Sequence, residues 1–219
     1  MIAELMGFEG EDGATTSDDE SLSDKGSPTF VGNAQLDTDQ KKFGDSSLLL
    51  DGSGDYADLV NNVDFAFDGT DFTMECFVRF NSLASSAMLL SKYSTSASTA
   101  QYYLQFGDGV LAFVWYDDTL TVRSIVSNSV APVINQWYHV AVDRVGDHMR
   151  LYLDGVVEAE NASAEAFRGN SGLAFSMGRR NHTSPFYLNG WLDEVRITKG
   201  TARYQGAFTP PTAPFPRTA

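Results

Sequence analysis

The chain is poor in the residues that carry metal and redox chemistry, with one cysteine, Cys76, and three histidines among 219 residues. A lone cysteine excludes a disulfide within the chain and a Cys-pair zinc site. No H-E-x-x-H motif offers zinc another route, and no G-x-S-x-G elbow presents a serine nucleophile. No stretch approaches the roughly 20 apolar residues that span a bilayer as a helix. The opening "MIAELMGFEGEDG" has neither a basic n-region nor a long apolar h-region, so no secretory signal peptide is expected. Basic residues are scarce as well: 15 Lys and Arg against 29 Asp and Glu give a formal charge of −14. That field repels phosphate backbones and argues against nucleic-acid binding. Apolar spacing at the helical period and internal repeats of about 20–50 residues are both absent, which excludes bundles, solenoids and propellers. Glycoside hydrolysis on a sandwich needs paired carboxylates on one strand, spaced E-x-D-x-x-E, and no glutamate begins that pattern. The nearest imitations are Glu158 with Glu160 and Asp193 with Glu194; the latter two, being adjacent, should point to opposite faces of a strand.

What is present reads as short strands. Hydrophobic residues make up 42% of the chain and aromatics 12%, enough for a sizeable core. "FTMECFVRF" alternates Phe72, Met74, Cys76, Val78 and Phe80 against Thr73, Glu75, Phe77 and Arg79, which makes Cys76 a small buried hydrophobe. "YYLQFGDGVLAFVWY" is a hairpin around Gly-Asp-Gly, and "WYHVAVDRVGDHMRLYLDGVV" repeats that layout. About a dozen strands with turn signals between them indicate an all-β, two-sheet antiparallel sandwich. His139 is a strand residue by this pattern, His148 sits beside a hairpin turn, and His182 in "GRRNHTSPFY" belongs to a loop. "SKYSTSASTAQ" is a polar connection. Residues 1–27 carry eight acidic side chains against Lys25 alone, half of the total charge, and form a solvated or cation-attracting segment. "FTPPTAPFP" cannot pair inside a sheet and should run extended, along the surface or toward a partner.

"NGWLDEVRITKG" poses a sharper question. Strict alternation would put Trp191, Asp193, Val195 and Ile197 on one face, so a carboxylate shares a face with three large apolar side chains. An ionised group there needs compensation, from a calcium ion, a loop of backbone N–H donors, or a catalytic partner. Gly-rich acidic turns such as "DGSGDY" and "FEGEDG" supply the oxygens calcium takes.

These stretches, with "YLNGWLDEVRITKGTARYQGAFTPPTAPFP", resemble the laminin-G/pentraxin-like branch of the concanavalin A-like lectin and glucanase superfamily across about residues 29–216. The ending and "FEGEDG" look like the version found in tailed-bacteriophage virion proteins. The resemblance implies a jelly-roll sandwich without catalytic residues that binds glycans or proteins, made in the host cytoplasm without a signal peptide and displayed on a virion surface. It also implies one structural Ca2+ held by Asp193, with Glu9 or Gly10 and Gly52 or Gly54 as partners. In that setting the sequons at Asn161 and Asn181 carry no glycosylation meaning.

The organisation expected is an acidic strand and loop over 1–28, a sandwich over 29–204 and a Pro-rich arm over 205–219. If the chain adheres to bacterial or environmental polysaccharide, aromatic platforms with polar neighbours should form the site. The candidates are Tyr93, Tyr103, Trp115, Tyr116, Asp117, Arg179, Asn181 and His182, with Asp118 and Arg180 beside them. The alternative is a purely structural module whose arm and acidic segment dock on capsid or tail proteins or on further copies of the chain, as a homo-oligomer. Neither reading calls for a membrane or a nucleic acid.

Overall fold

The computed structural model describes residues 2–21, 25–83, 86–96, 98–162, 165–182 and 186–217. Ser163 and Thr183, which complete the two sequons, lie outside them. The described residues form an all-β sandwich of two antiparallel sheets, as expected. Its strands are β1 (Ile2–Met6), β2 (Thr29–Val31), β3 (Gln35–Asp37), β4 (Ser47–Asp51), β5 (Tyr56–Leu59), β6 (Phe72–Phe80), β7 (Ala87–Lys92) and β8 (Tyr102–Gly107). They continue with β9 (Val110–Tyr116), β10 (Val122–Val126), β11 (Trp137–Val145), β12 (His148–Leu153), β13 (Val156–Asn161), β14 (Phe175–Met177) and β15 (Asn189–Lys199).

One sheet has eight strands, in the order β13-β12-β11-β6-β15-β4-β3 with β1 also on β15; the other has seven, β10-β9-β8-β7-β14-β5-β2. Alternation decides what each strand buries. From β6, Phe72, Met74, Cys76, Val78 and Phe80 enter the core between the sheets, while Phe77 joins a second cluster on the outer face with Ile2, Leu5 and Phe215. Cys76 is buried as expected, and the apolar surroundings push its thiol pKa up.

The expected face of β15 does not survive. Asp193 pairs with Phe77 and Arg196 with Glu75, so Glu194 and Val195 together face the single residue Cys76. Glu194 takes φ 49°, the signature of a bulge. The parity flips there: Leu192, Val195 and Ile197 point into the core, while Trp191 lies outside it. Asp193 and Glu194 consequently both serve the outer side rather than opposite faces. On its other flank β15 pairs with β4 up to Leu192 and with β1 from Val195 onward.

After β15 the chain folds back over the outer face of the eight-stranded sheet. The amides of Tyr204 and Gln205 donate to Asp143 Oδ2 at 3.2 and 2.7 Å, Phe208 N–H donates to Gly155 O at 3.0 Å, and Phe215 N–H donates to Glu194 Oε2 at 2.6 Å. A Cβ on Gly155 (φ 77°) would lie 1.9 Å from the Phe208 carbonyl, so only glycine seats the arm there. The Pro-rich segment thus takes the first of its two expected courses, along its own sandwich.

Candidate functional site

The outer face of the seven-stranded sheet has no such roof from the arm. Along β8, Tyr102, Leu104 and Phe106 point to the core, which leaves Tyr103 and Gln105 outward. Along β9, Leu111, Phe113 and Trp115 point inward, which leaves Tyr116 on the outer side at the strand end, where its neighbours bury it. Tyr93 follows β7, and its ring meets Tyr103 edge-on at 5.3 Å, with Tyr116 at 6.1 Å and His182 at 6.0 Å.

Two described stretches, Gly178–His182 and Phe186–Leu188, lie beside these rings. They are joined at a base closed by Gly178 N–H to Leu89 O and Leu188 N–H to Gly178 O, each 2.9 Å. Arg180 projects from the first of them with its guanidinium carbon 5.2 Å from the Tyr93 ring centre, 5.4 Å from Tyr103 and 4.5 Å from Phe186. Phe186 takes φ 50°, costly for an aromatic residue, and its carbonyl is fixed by Met88 N–H at 3.0 Å. Arg180 Nε is buried without a hydrogen-bond acceptor among the described residues. Burial raises the pKa of Tyr103, and the Arg180 charge opposes that rise. Next to this cluster Arg179 lies 3.5 Å over Tyr56 and pairs with Asp58 at 2.7 Å, while Ser176 Oγ donates to the other Asp58 oxygen at 2.6 Å. Tyr56 in turn stacks with Tyr187 at 6.5 Å.

Of the expected glycan residues, Tyr93, Tyr103, Tyr116, Arg179 and His182 therefore come together on one face, and Asn181 is exposed on the same loop. Trp115 does not join them: it shares the inward parity of Leu111 and Phe113, is fully buried, and stacks on Phe167 at 5.6 Å. Asp117 is also elsewhere. Its Oδ1 accepts from Thr119 N–H, Thr119 Oγ1 and Thr121 N–H, and its Oδ2 meets Arg123 Nε at 2.9 Å. The Thr119 hydroxyl above all holds its pKa down to about 2, so it is an anion that braces the β9–β10 turn. With Asp118, Arg123 and Glu165 it lines a shallow depression of about 250 Å³. Sequence reading missed Tyr56, Tyr187 and Phe186. The alternation of "YADL", with Ala57 and Leu59 inward, was the available signal for Tyr56.

The expected calcium residues are not gathered into one ligand set. Asp193 Oδ2 accepts from Lys42 N–H at 2.8 Å and Phe43 N–H at 3.1 Å, and Oδ1 accepts from Glu194 N–H at 2.7 Å. Glu9 accepts from Asp45 N–H at 2.7 Å, and Gly10 packs on Leu36. Gly52 and Gly54 belong to the turn after Asp51, which pairs with Asn189 at the far end of β15. No cluster of three acidic, His or Cys side chains suited to a metal occurs among the described residues. Asp193 is compensated by backbone donors. Even so, burial, with the Glu194 charge adding to it, raises its pKa to about 8 against the pull of those N–H groups.

A His–Glu pair lies under the arm. Glu75 receives Arg196 Nη2 at 2.7 Å, His139 Nε2 at 3.0 Å and the Tyr204 hydroxyl, and both Glu75 and His139 are fully buried. Burial opposes ionisation of Glu75, but His139 and Arg196 outweigh it and hold the carboxyl pKa down. His139 is a strand residue, as its alternation indicated, in a sealed ion-pair network.

A family profile described as the concanavalin A-like lectin/glucanases superfamily, of laminin-G type, matches residues 51–203. Among solved structures, domain 4 of AbnA, a GH43 extracellular arabinanase from Geobacillus stearothermophilus, in complex with arabinotriose, is similar at 16% identity and TM-score 0.69, covering 92% of this chain and 94% of that one. The receptor binding domain of botulinum neurotoxin C/D mosaic serotype gives 13% identity and TM-score 0.65, covering 95% of this chain and 48% of that one. The binding domain of Paraclostridial Mosquitocidal Protein 1 gives 14% and 0.65, with 95% and 49% covered. The chain thus spans about half the length of the toxin domains, and at these identities the likeness shows the fold. No curated protein sequence matches it.

Proposed function

Because the chain belongs to the concanavalin A-like lectin/glucanases superfamily, we propose that this lectin-like sandwich is a non-catalytic module that holds a polysaccharide on the outer face of its seven-stranded sheet. The observation that carries this reading is the cluster of Tyr93, Tyr103 and Phe186 around Arg180, with Tyr116 and His182 against Tyr93. Aromatic rings accept the apolar C–H faces of sugars, while phenol and guanidinium groups beside them take up hydroxyls. The arabinanase domain with its bound arabinotriose shares this fold and supports a glycan as the ligand. The sequence likeness to tailed-phage virion proteins supports a place on a virion surface. The competing reading, docking through the Pro-rich arm, loses its main element because that arm is engaged on Asp143, Gly155 and Glu194 of its own chain.

The test is binding of the purified protein to a panel of bacterial and algal polysaccharides, with calcium and with a chelator, beside a Tyr103→Ala variant. Saturable binding that the variant loses supports the reading. Binding to no glycan by a folded protein sinks it. Dependence of binding on calcium would return a metal to the account.

A further inference from the structure

Two adjacent arginines on the candidate face are treated differently by the fold. Arg179 is neutralised by Asp58 at 2.7 Å. Arg180 has no carboxylate partner among the described residues; the Nε atoms of both arginines are buried without an acceptor, so the difference between the two lies in the ion pair. The company Arg180 keeps does not neutralise it. Ring faces engage the flat face of a guanidinium and leave its in-plane N–H donors free for a planar, two-oxygen acceptor. Tyr93 and Phe186 hold the group by such contacts, and Tyr103 by its hydroxyl as well as its ring, at 4.5–5.4 Å from the ring centres; the remaining donors are those available to a ligand.

We infer that Arg180 makes this face selective for acidic polysaccharide, binding the carboxylate of a uronic-acid unit while a neighbouring ring carries the sugar. The inference rests on the glycan-binding reading and names its ligand class. A carboxylate matches the guanidinium fork in two parallel bonds, which neutral hydroxyls do not. The net charge of −14 opposes an anionic ligand only at long range. At physiological salt such a field is screened within about 8 Å, whereas a pair in direct contact is not.

The experiment compares binding of sodium polygalacturonate, dextran sulfate and neutral arabinan to the wild-type protein and to Arg180→Gln and Arg180→Lys, with melting curves to establish that each is folded. Polygalacturonate should bind best and weaken as salt rises. Arg180→Gln should lose about tenfold to a hundredfold of that affinity, and Arg180→Lys should fall between, keeping charge but not the fork. Equal binding of arabinan and polygalacturonate, with Arg180→Gln unaffected, overturns the inference and leaves the lectin reading standing. Tighter binding of dextran sulfate overturns the choice of carboxylate. Binding of none of the three overturns the inference together with the panel test it rests on.

Discussion

Two clusters on the outer faces of this sandwich treat charge differently. On the eight-stranded sheet Glu75, Asp143 and Glu194 are all buried, and each is answered by a group within the chain: Arg196 and His139, the amides of Tyr204 and Gln205, and Arg217. On the seven-stranded sheet Arg180 is ringed by aromatic side chains and left without a counter-charge among the described residues. Polarity that is satisfied internally fixes the fold, and polarity that is left open is available for recognition. The presence of charged residues therefore does not locate a site; the Glu75 and His139 pair resembles catalytic machinery far more than Tyr103 does, yet it is sealed.

The comparison breaks most visibly at Glu75. Glu75→Ala strands Arg196 in a buried setting and should cost about 3–5 kcal/mol, seen as a large drop in melting temperature. A melt within a degree or two of wild type would mean that the covered face is not held by its ion pairs. Trp115→Ala should cost a similar amount through the cavity it leaves, so any loss of binding in that variant follows from unfolding.

Asp193 gives a smaller, pH-dependent effect. Its folded pKa lies near 8 against an ordinary 3.8, so the folded state keeps a proton that the unfolded chain releases. Stability from this group is complete below about pH 4, declines as pH rises, and is lost above about pH 8. Asp193→Asn keeps an acceptor for the Lys42 and Phe43 amides and should remove that slope in melts taken from pH 4 to 9. A wild-type curve parallel to the variant would show a carboxylate ionised throughout. At the other extreme, Tyr103→Ala on the open face should change stability by about 1 kcal/mol or less while polysaccharide affinity falls severalfold. A variant that binds as well as wild type would remove Tyr103 from the site.

Strands whose two faces differ in kind were legible in the sequence. "FTMECFVRF" became β6 at its own boundaries, and the hairpin of β8 and β9 turns at the Gly-Asp-Gly expected to turn it. The bulge at Glu194 was not legible, because alternation has no mark for an inserted residue and Leu192, Val195 and Ile197 share a face only across it. For Trp115 the error lay in weighing residue type over parity, since Leu111 and Phe113 already assigned its direction. The rim loop of Arg179 to His182 was identifiable from its composition. That Phe186 and Tyr187 would close around it was not, because that depends on a loop returning to its own base.

The placement of β1 and the arm has a consequence for how variants are read. Ile2 pairs with Thr198, and Arg217 reaches Glu20 and Glu194, so both segments lie on the eight-stranded side. A substitution in either segment can therefore be judged by stability without touching the aromatic cluster beside Arg180 on the other sheet.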